Sequence, residues 1–94
     1  KTVEIATGIS SINNNEGWTI YPNPSMENFN LFYSGSGNVE SLKLFNTLGQ
    51  LEWSASKLDQ SFWKIDAETL AAGTYFLSAK TNTGLKIFKL EKMN

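Results

Sequence analysis

Leu70-Ala71-Ala72-Gly73-Thr74-Tyr75-Phe76-Leu77 sets a glycine stop, and then a tyrosine two residues on, at the entrance to an apolar run. The spacing Leu-x-x-Gly-x-Tyr fits a tyrosine corner: the phenol ring packs inside a β-sandwich and its hydroxyl bonds a backbone group a few residues upstream. Such a bond stabilises by on the order of 1 kcal/mol, so Tyr75 reads first as a structural residue. Downstream, Tyr75, Leu77 and Ala79 alternate with Ser78 and Lys80, the period of two expected of a strand with one face inward.

The same period extends in both directions. Phe29, Leu31 and Tyr33 alternate with Asn28 and Asn30, and Leu42 and Leu44 with Ser41 and Lys43. Seven strands are predicted, at Trp18–Tyr21, Phe29–Tyr33, Val39–Phe45, Gln50–Ser54, Phe62–Asp66, Thr74–Thr81 and Leu85–Glu91. Short β-rich runs punctuated at regular intervals by Gly, Asn, Ser and Pro are the pattern of an all-β sandwich or barrel. Asp66 to Ala72 can alternatively form one helical turn, with Asp66 as N-cap and Gly73 as stop, too short to alter the fold class. No repeat of 20–50 residues is visible, which excludes a solenoid or propeller array.

Composition narrows the chemistry. The 94 residues include no His and no Cys, and 8 Lys+Arg stand against 9 Asp+Glu. Disulfide scaffolds, Cys/His zinc sites, Ser-His-Asp triads and Cys-His pairs each need a side chain that is missing. A formal charge of -1 argues against nucleic acid, whose non-specific binders carry a strongly positive surface. Apolar runs such as Tyr75-Phe76-Leu77 fall far short of the roughly 20 residues that span a bilayer, so no membrane span is expected. With so small a chain the core needs its twelve aromatics, since each buried large side chain contributes only about 1.5–3 kcal/mol.

Residues 1–17 include the polar run Gly8 to Gly17 and read as a linker, leaving residues 18–94 as the folded domain. The start Lys1-Thr2-Val3-Glu4 lacks both an initiator Met and a basic region followed by an apolar stretch, as expected of a piece cut from a larger precursor.

Four further features invite functional readings. Tyr21-Pro22-Asn23-Pro24-Ser25 must end the first strand, because each proline fixes φ and removes a donor; it serves as a turn or as part of a recognised surface. In Asn46-Thr47-Leu48-Gly49 the glycine can take the positive φ of a type I turn followed by a bulge. Residues 80–94 hold four Lys and one Glu, which protects a sheet edge, presents a positive stripe to an acidic groove, or accompanies addition to a receptor sheet edge. Trp18, Trp53 and Trp63, with Phe62, can form a sugar-stacking platform, although core packing is the simpler reading. Asp59, Asp66 and Glu68 cluster but lack the spaced oxygens and glycine turn of a calcium loop.

Taken in order, Tyr21-Pro22-Asn23-Pro24, Phe29-x-Leu31, Leu44-Phe45-Asn46-Thr47-Leu48-Gly49-Gln50, Leu70-x-x-Gly73-x-Tyr75-Phe76-Leu77 and Lys89-Leu90-Glu91-Lys92 resemble the type A C-terminal sorting domain of the Bacteroidetes type IX secretion system. The likeness runs from about Trp18 to Lys92. It implies an immunoglobulin-like, seven-stranded antiparallel β-sandwich acting as a non-catalytic address label, with no cofactor and no metal. The family's motifs map onto Pro22, Asn23 and Pro24, Gly49, Gly73 and Tyr75, and Lys89, Leu90 and Lys92. The family often has Gly soon after the proline motif, where this chain has Met26-Glu27-Asn28, and Arg after the hairpin glycine, where it has Gln50.

The partners implied are the type IX outer-membrane translocon, a sortase-like cysteine protease and a covalently preceding cargo. The cargo precursor would pass through the periplasm and reach the cell surface or the medium, with cleavage between about Thr7 and Gly17 and attachment to lipopolysaccharide. The rival reading, from a different class, is an accessory carbohydrate-binding or adhesion sandwich using Trp53 and Trp63.

Overall fold

The computed structural model describes residues 17–94. The expected linker at 1–17 therefore lies, apart from Gly17, outside the described residues, as does most of the stretch expected to contain a cleavage site. Seven strands follow one another: β1 (Trp18–Tyr21), β2 (Asn28–Tyr33), β3 (Val39–Asn46), β4 (Leu51–Ser54), β5 (Phe62–Asp66), β6 (Gly73–Thr81) and β7 (Gly84–Lys92). They form two antiparallel sheets, β1-β2-β5 and β4-β3-β6-β7. This is the expected immunoglobulin-like sandwich, with the expected seven strands in the expected order. Among the described residues no helix is long and apolar enough to cross a membrane.

Alternation selects the inner faces. Trp18 and Ile20, Phe29 and Leu31, Leu42 and Leu44, Trp63 and Ile65, Leu77 and Ala79, and Phe88 and Leu90 point between the sheets and are buried. Their neighbours at odd spacing face out, because successive Cβ atoms leave opposite sides of a strand. The β3–β4 pairing shifts register between Leu44 and Phe45, a bulge that increases local twist at this edge. The alternative helical turn at Asp66 to Ala72 does not form. Asp66 Oδ1 instead accepts the Glu68 N–H at 3.1 Å, and Leu70 N–H bonds Ala67 C=O at 3.1 Å, an Asx turn that satisfies the backbone without a helix.

The registers define two poles. Pairings Tyr21↔Asn30, Asn28↔Asp66, Asn46↔Tyr75 and Gly73↔Lys92 put the exit of β1, the β3–β4 hairpin, the entrance to β6 and the exit of β7 at one pole. Gly17, Ser34 to Asn38 and the Asn82-Thr83 turn occupy the other, tied by Ser34 N–H to Gly17 C=O at 2.9 Å and Asn82 N–H to Asn38 C=O at 3.0 Å.

Candidate functional site

The proline motif and the terminal motif meet through backbone hydrogen bonds. Pro22 and Pro24, each after a cis peptide bond, lack an N–H donor and so end the ladder of β1, and Asn23 between them lies against the outer edge of β7. Its Nδ2 donates to Lys89 C=O at 3.0 Å and its Oδ1 accepts the Glu91 N–H at 3.0 Å. One amide thus satisfies a donor and an acceptor on the same strand, as a neighbouring strand would. Ser25 continues the contact. Its N–H donates to Glu91 C=O at 3.0 Å and its C=O accepts from Met93 N–H at 2.7 Å, a parallel bridge opposite Lys92. The buried Ser25 hydroxyl donates to Asn28 C=O and closes the turn into β2.

The terminal motif is divided by the pleat of β7. Lys89 faces out, 3.7 Å from Glu91 Oε2; Leu90 is in the core; Lys92 is only 7% exposed, and its Nζ donates to Leu70 C=O at 3.1 Å. Of the four lysines expected to form a positive stripe over residues 80–94, Lys92 turns inward, while Lys80 and Lys89 stay at the surface, 3.7 Å from Glu40 and Glu91 respectively. Burying an ammonium without a partner costs several kcal/mol, and the Leu70 carbonyl supplies one. Lys92 in this way fastens the end of β7 to the loop preceding Gly73.

That loop contains the tyrosine corner. Tyr75 is buried, and its hydroxyl donates to Ala71 C=O at 2.6 Å. Burial, and secondly the negative charge of Glu52, push its ionisation above the usual phenol value, because both disfavour the phenolate. Gly73 enters β6 at φ 148°.

Gly49 is at the same pole in the β3–β4 hairpin, at φ 83°. Asn46 organises this turn: Oδ1 accepts from Leu48 N–H and Gln50 N–H, each at 2.9 Å, and Nδ2 reaches Gln50 Oε1 and Glu52 Oε2 at 2.9 and 2.8 Å. Between this hairpin and the Thr69–Tyr75 segment lies an open groove of about 310 Å³. Pro22, Asn23, Pro24, Gly49, Gly73, Tyr75, Lys89, Leu90 and Lys92 thus share one pole, and the proline, Gly-x-Tyr and terminal motifs are physically linked. Sequence reasoning placed Ser25 and Asn46 in turns but assigned neither a bonding role. Both are short polar residues at turn starts, the class that bonds local backbone, and that was the available signal.

The aromatics weighed as a sugar platform follow the simpler core reading at Trp18 and Trp63, while Trp53 is partly buried against the core. Trp63 Nε1 donates to Lys57 C=O at 2.7 Å. The outward aromatics of that sheet are Tyr21, Phe32 and Phe62, with Tyr21 and Phe32 rings 5.8 Å apart and nearly parallel. The inner face of a sheet that must cover another sheet claims the largest side chains, and Trp63 has that parity.

A search of curated proteins finds no match. A family model described as the secretion system C-terminal sorting domain matches residues 19–92, which takes in all seven strands except Trp18 and every motif of the pole. The chain belongs to this family, the C-terminal sorting domain of type IX secretion, a signal for export to the cell surface or extracellular space.

Proposed function

We propose that this domain is a non-catalytic label read at the pole where its motifs gather, while the cargo is attached at the opposite pole through Gly17. The carrying observation is the bond pair between Asn23 and the Lys89–Glu91 backbone, which makes two separate motifs one surface. In this reading the precursor crosses the periplasm, the outer-membrane translocon binds the pole, and the cargo passes to the cell surface. A sortase-like cysteine protease then cuts between about Thr7 and Gly17, and the cargo is joined to lipopolysaccharide. The spatial separation supports this order: a translocon holding the motif pole leaves the linker accessible to a protease.

The test is a reporter enzyme fused ahead of the chain in a host with type IX secretion. Export that depends on residues 18–94, with mass spectrometry placing the released terminus between Thr7 and Gly17, is the expected result. Equal export of the reporter without residues 18–94 would end the proposal.

A further inference from the structure

β7 is a nine-residue edge strand whose two halves differ. Along its second half Lys89 C=O, Glu91 N–H, Glu91 C=O and Met93 N–H all bond away from β6, to Asn23 and Ser25. In an antiparallel ladder the N–H and C=O of one residue point to the same side, and the sides alternate along the strand. The main-chain groups of Leu85 and Ile87 therefore face outward too, with the Lys89 N–H. Among the described residues nothing bonds them outside the ladder with β6. The Leu85 and Ile87 side chains are 57% and 56% exposed on the outer sheet face.

Long edges with apolar side chains template pairing with other chains, so folded proteins normally shorten, bulge or cover them. The opposite edge of this sheet follows that rule: β4 has four residues and a register shift against β3. The first half of β7 is neither short nor bulged against β6; its guards are the charges of Lys86 and Lys89, which leave the outward main-chain groups of Leu85 and Ile87 open to a partner that tolerates them. We propose that Gly84–Lys89 is a strand-addition site, where an extended segment of the secretion machinery pairs with β7 and lays apolar side chains beside Leu85 and Ile87. The inference rests on the sorting-domain reading and deepens it by naming the mode of contact. The edge itself selects the occupant, because a row of alternating donors and acceptors is matched by another main chain. The Asn23 to Ser25 segment already satisfies the rest of the same edge, with the Ser25↔Lys92 bridge, so an added strand abuts it without displacing it.

Ile87→Pro removes one outward N–H and no ladder bond, and proline is accepted on an edge strand at such a position. Ile87→Thr keeps the N–H and is the control. With the full chain behind a reporter in a secretion-competent host, I87T is exported like wild type. I87P, shown to be folded by the near-UV circular dichroism of its buried tryptophans, leaves the reporter in the periplasm, with export reduced about tenfold, the scale of one or two lost hydrogen bonds. Wild-type export of folded I87P overturns strand addition. Should I87P not fold, L85K/I87K decides by the same readout, because it charges two exposed positions and spares every backbone bond; wild-type export of that variant overturns the inference equally. Failure of the unaltered fusion to be exported would instead count against the sorting reading.

Discussion

Asn23 and Glu91 are 68 residues apart in the chain, and the Glu91 N–H donates to Asn23 Oδ1 at 3.0 Å. The same side chain returns a hydrogen bond to Lys89 C=O, so the first loop of the domain acts as a short surrogate strand on its last. The fold thereby closes the C-terminal half of an edge that would otherwise be open along its whole length. The proline motif and the terminal motif form a single structural unit, held by the Asn23 amide and by the two backbone bonds of Ser25.

Asn23→Ala removes both bonds and is expected to lower unfolding stability by about 1–2 kcal/mol, at roughly 1 kcal/mol per net hydrogen bond. Asn23→Asp keeps an acceptor for Glu91 N–H but sets a carboxylate against Lys89 C=O, and should do no better. Urea unfolding compares the three chains; a midpoint for N23A equal to wild type would show that the contact carries no stability.

Tyr75→Phe keeps the ring in the core and deletes the bond to Ala71 C=O, for an expected loss of about 1 kcal/mol at neutral pH. The pH dependence has a definite sign. Burial raises the folded-state ionisation of Tyr75 above the ordinary phenol value of 10.0, so above that pH the unfolded chain gives up this proton first and holds fewer protons. Stability then falls as pH rises. The deficit of Y75F relative to wild type should therefore narrow above pH 10.0, as read from urea midpoints on both sides of that value. A constant deficit would mean that Tyr75 ionises alike in both states.

These two residues show what the amino-acid order discloses. Tyr75 was recognisable because its partner is four positions upstream and the glycine and strand beside it give a local pattern. The strands were recognisable for the same reason, since alternation is a property of neighbours. Alternation does not say which parity faces inward where both are apolar. That is why Phe62 and Trp63 could be read either way until β5 was paired with Leu31 and Phe32 of β2. The Asn23 contact was not legible, because nothing near Pro22 or Pro24 specifies a strand at the far end of the chain. Nor was the role of Lys92, whose charge suggests solvent while its parity in β7 directs it inward.

Lys92→Met retains the stem that packs at the pole and removes the donor to Leu70 C=O. An unsatisfied carbonyl costs about 1–3 kcal/mol where it stays buried, and Leu70 is partly buried, so a loss of about 1–2 kcal/mol is expected. Faster amide exchange at Leu70, whose N–H bonds Ala67 C=O, should accompany it and identify the loop as the part released. Lys92→Arg should recover part of both. Unchanged exchange in K92M would assign Lys92 to packing alone.

Gly49 separates a backbone requirement from a recognition requirement. A Cβ placed on it meets nothing within 4 Å, yet its φ is 83°, a region where most L-residues lose roughly 1–2 kcal/mol and Asn loses less. Gly49→Val should therefore destabilise the hairpin by about 1–2 kcal/mol, since a branched side chain is poorest at positive φ. Gly49→Asn should unfold within about 0.5 kcal/mol of wild type. If the family glycine is there for the turn, a reporter carrying G49N is exported normally and one carrying G49V loses export in proportion to its lost stability. Loss of export by a G49N chain with wild-type unfolding would show instead that the receptor touches the bare backbone at the hairpin tip.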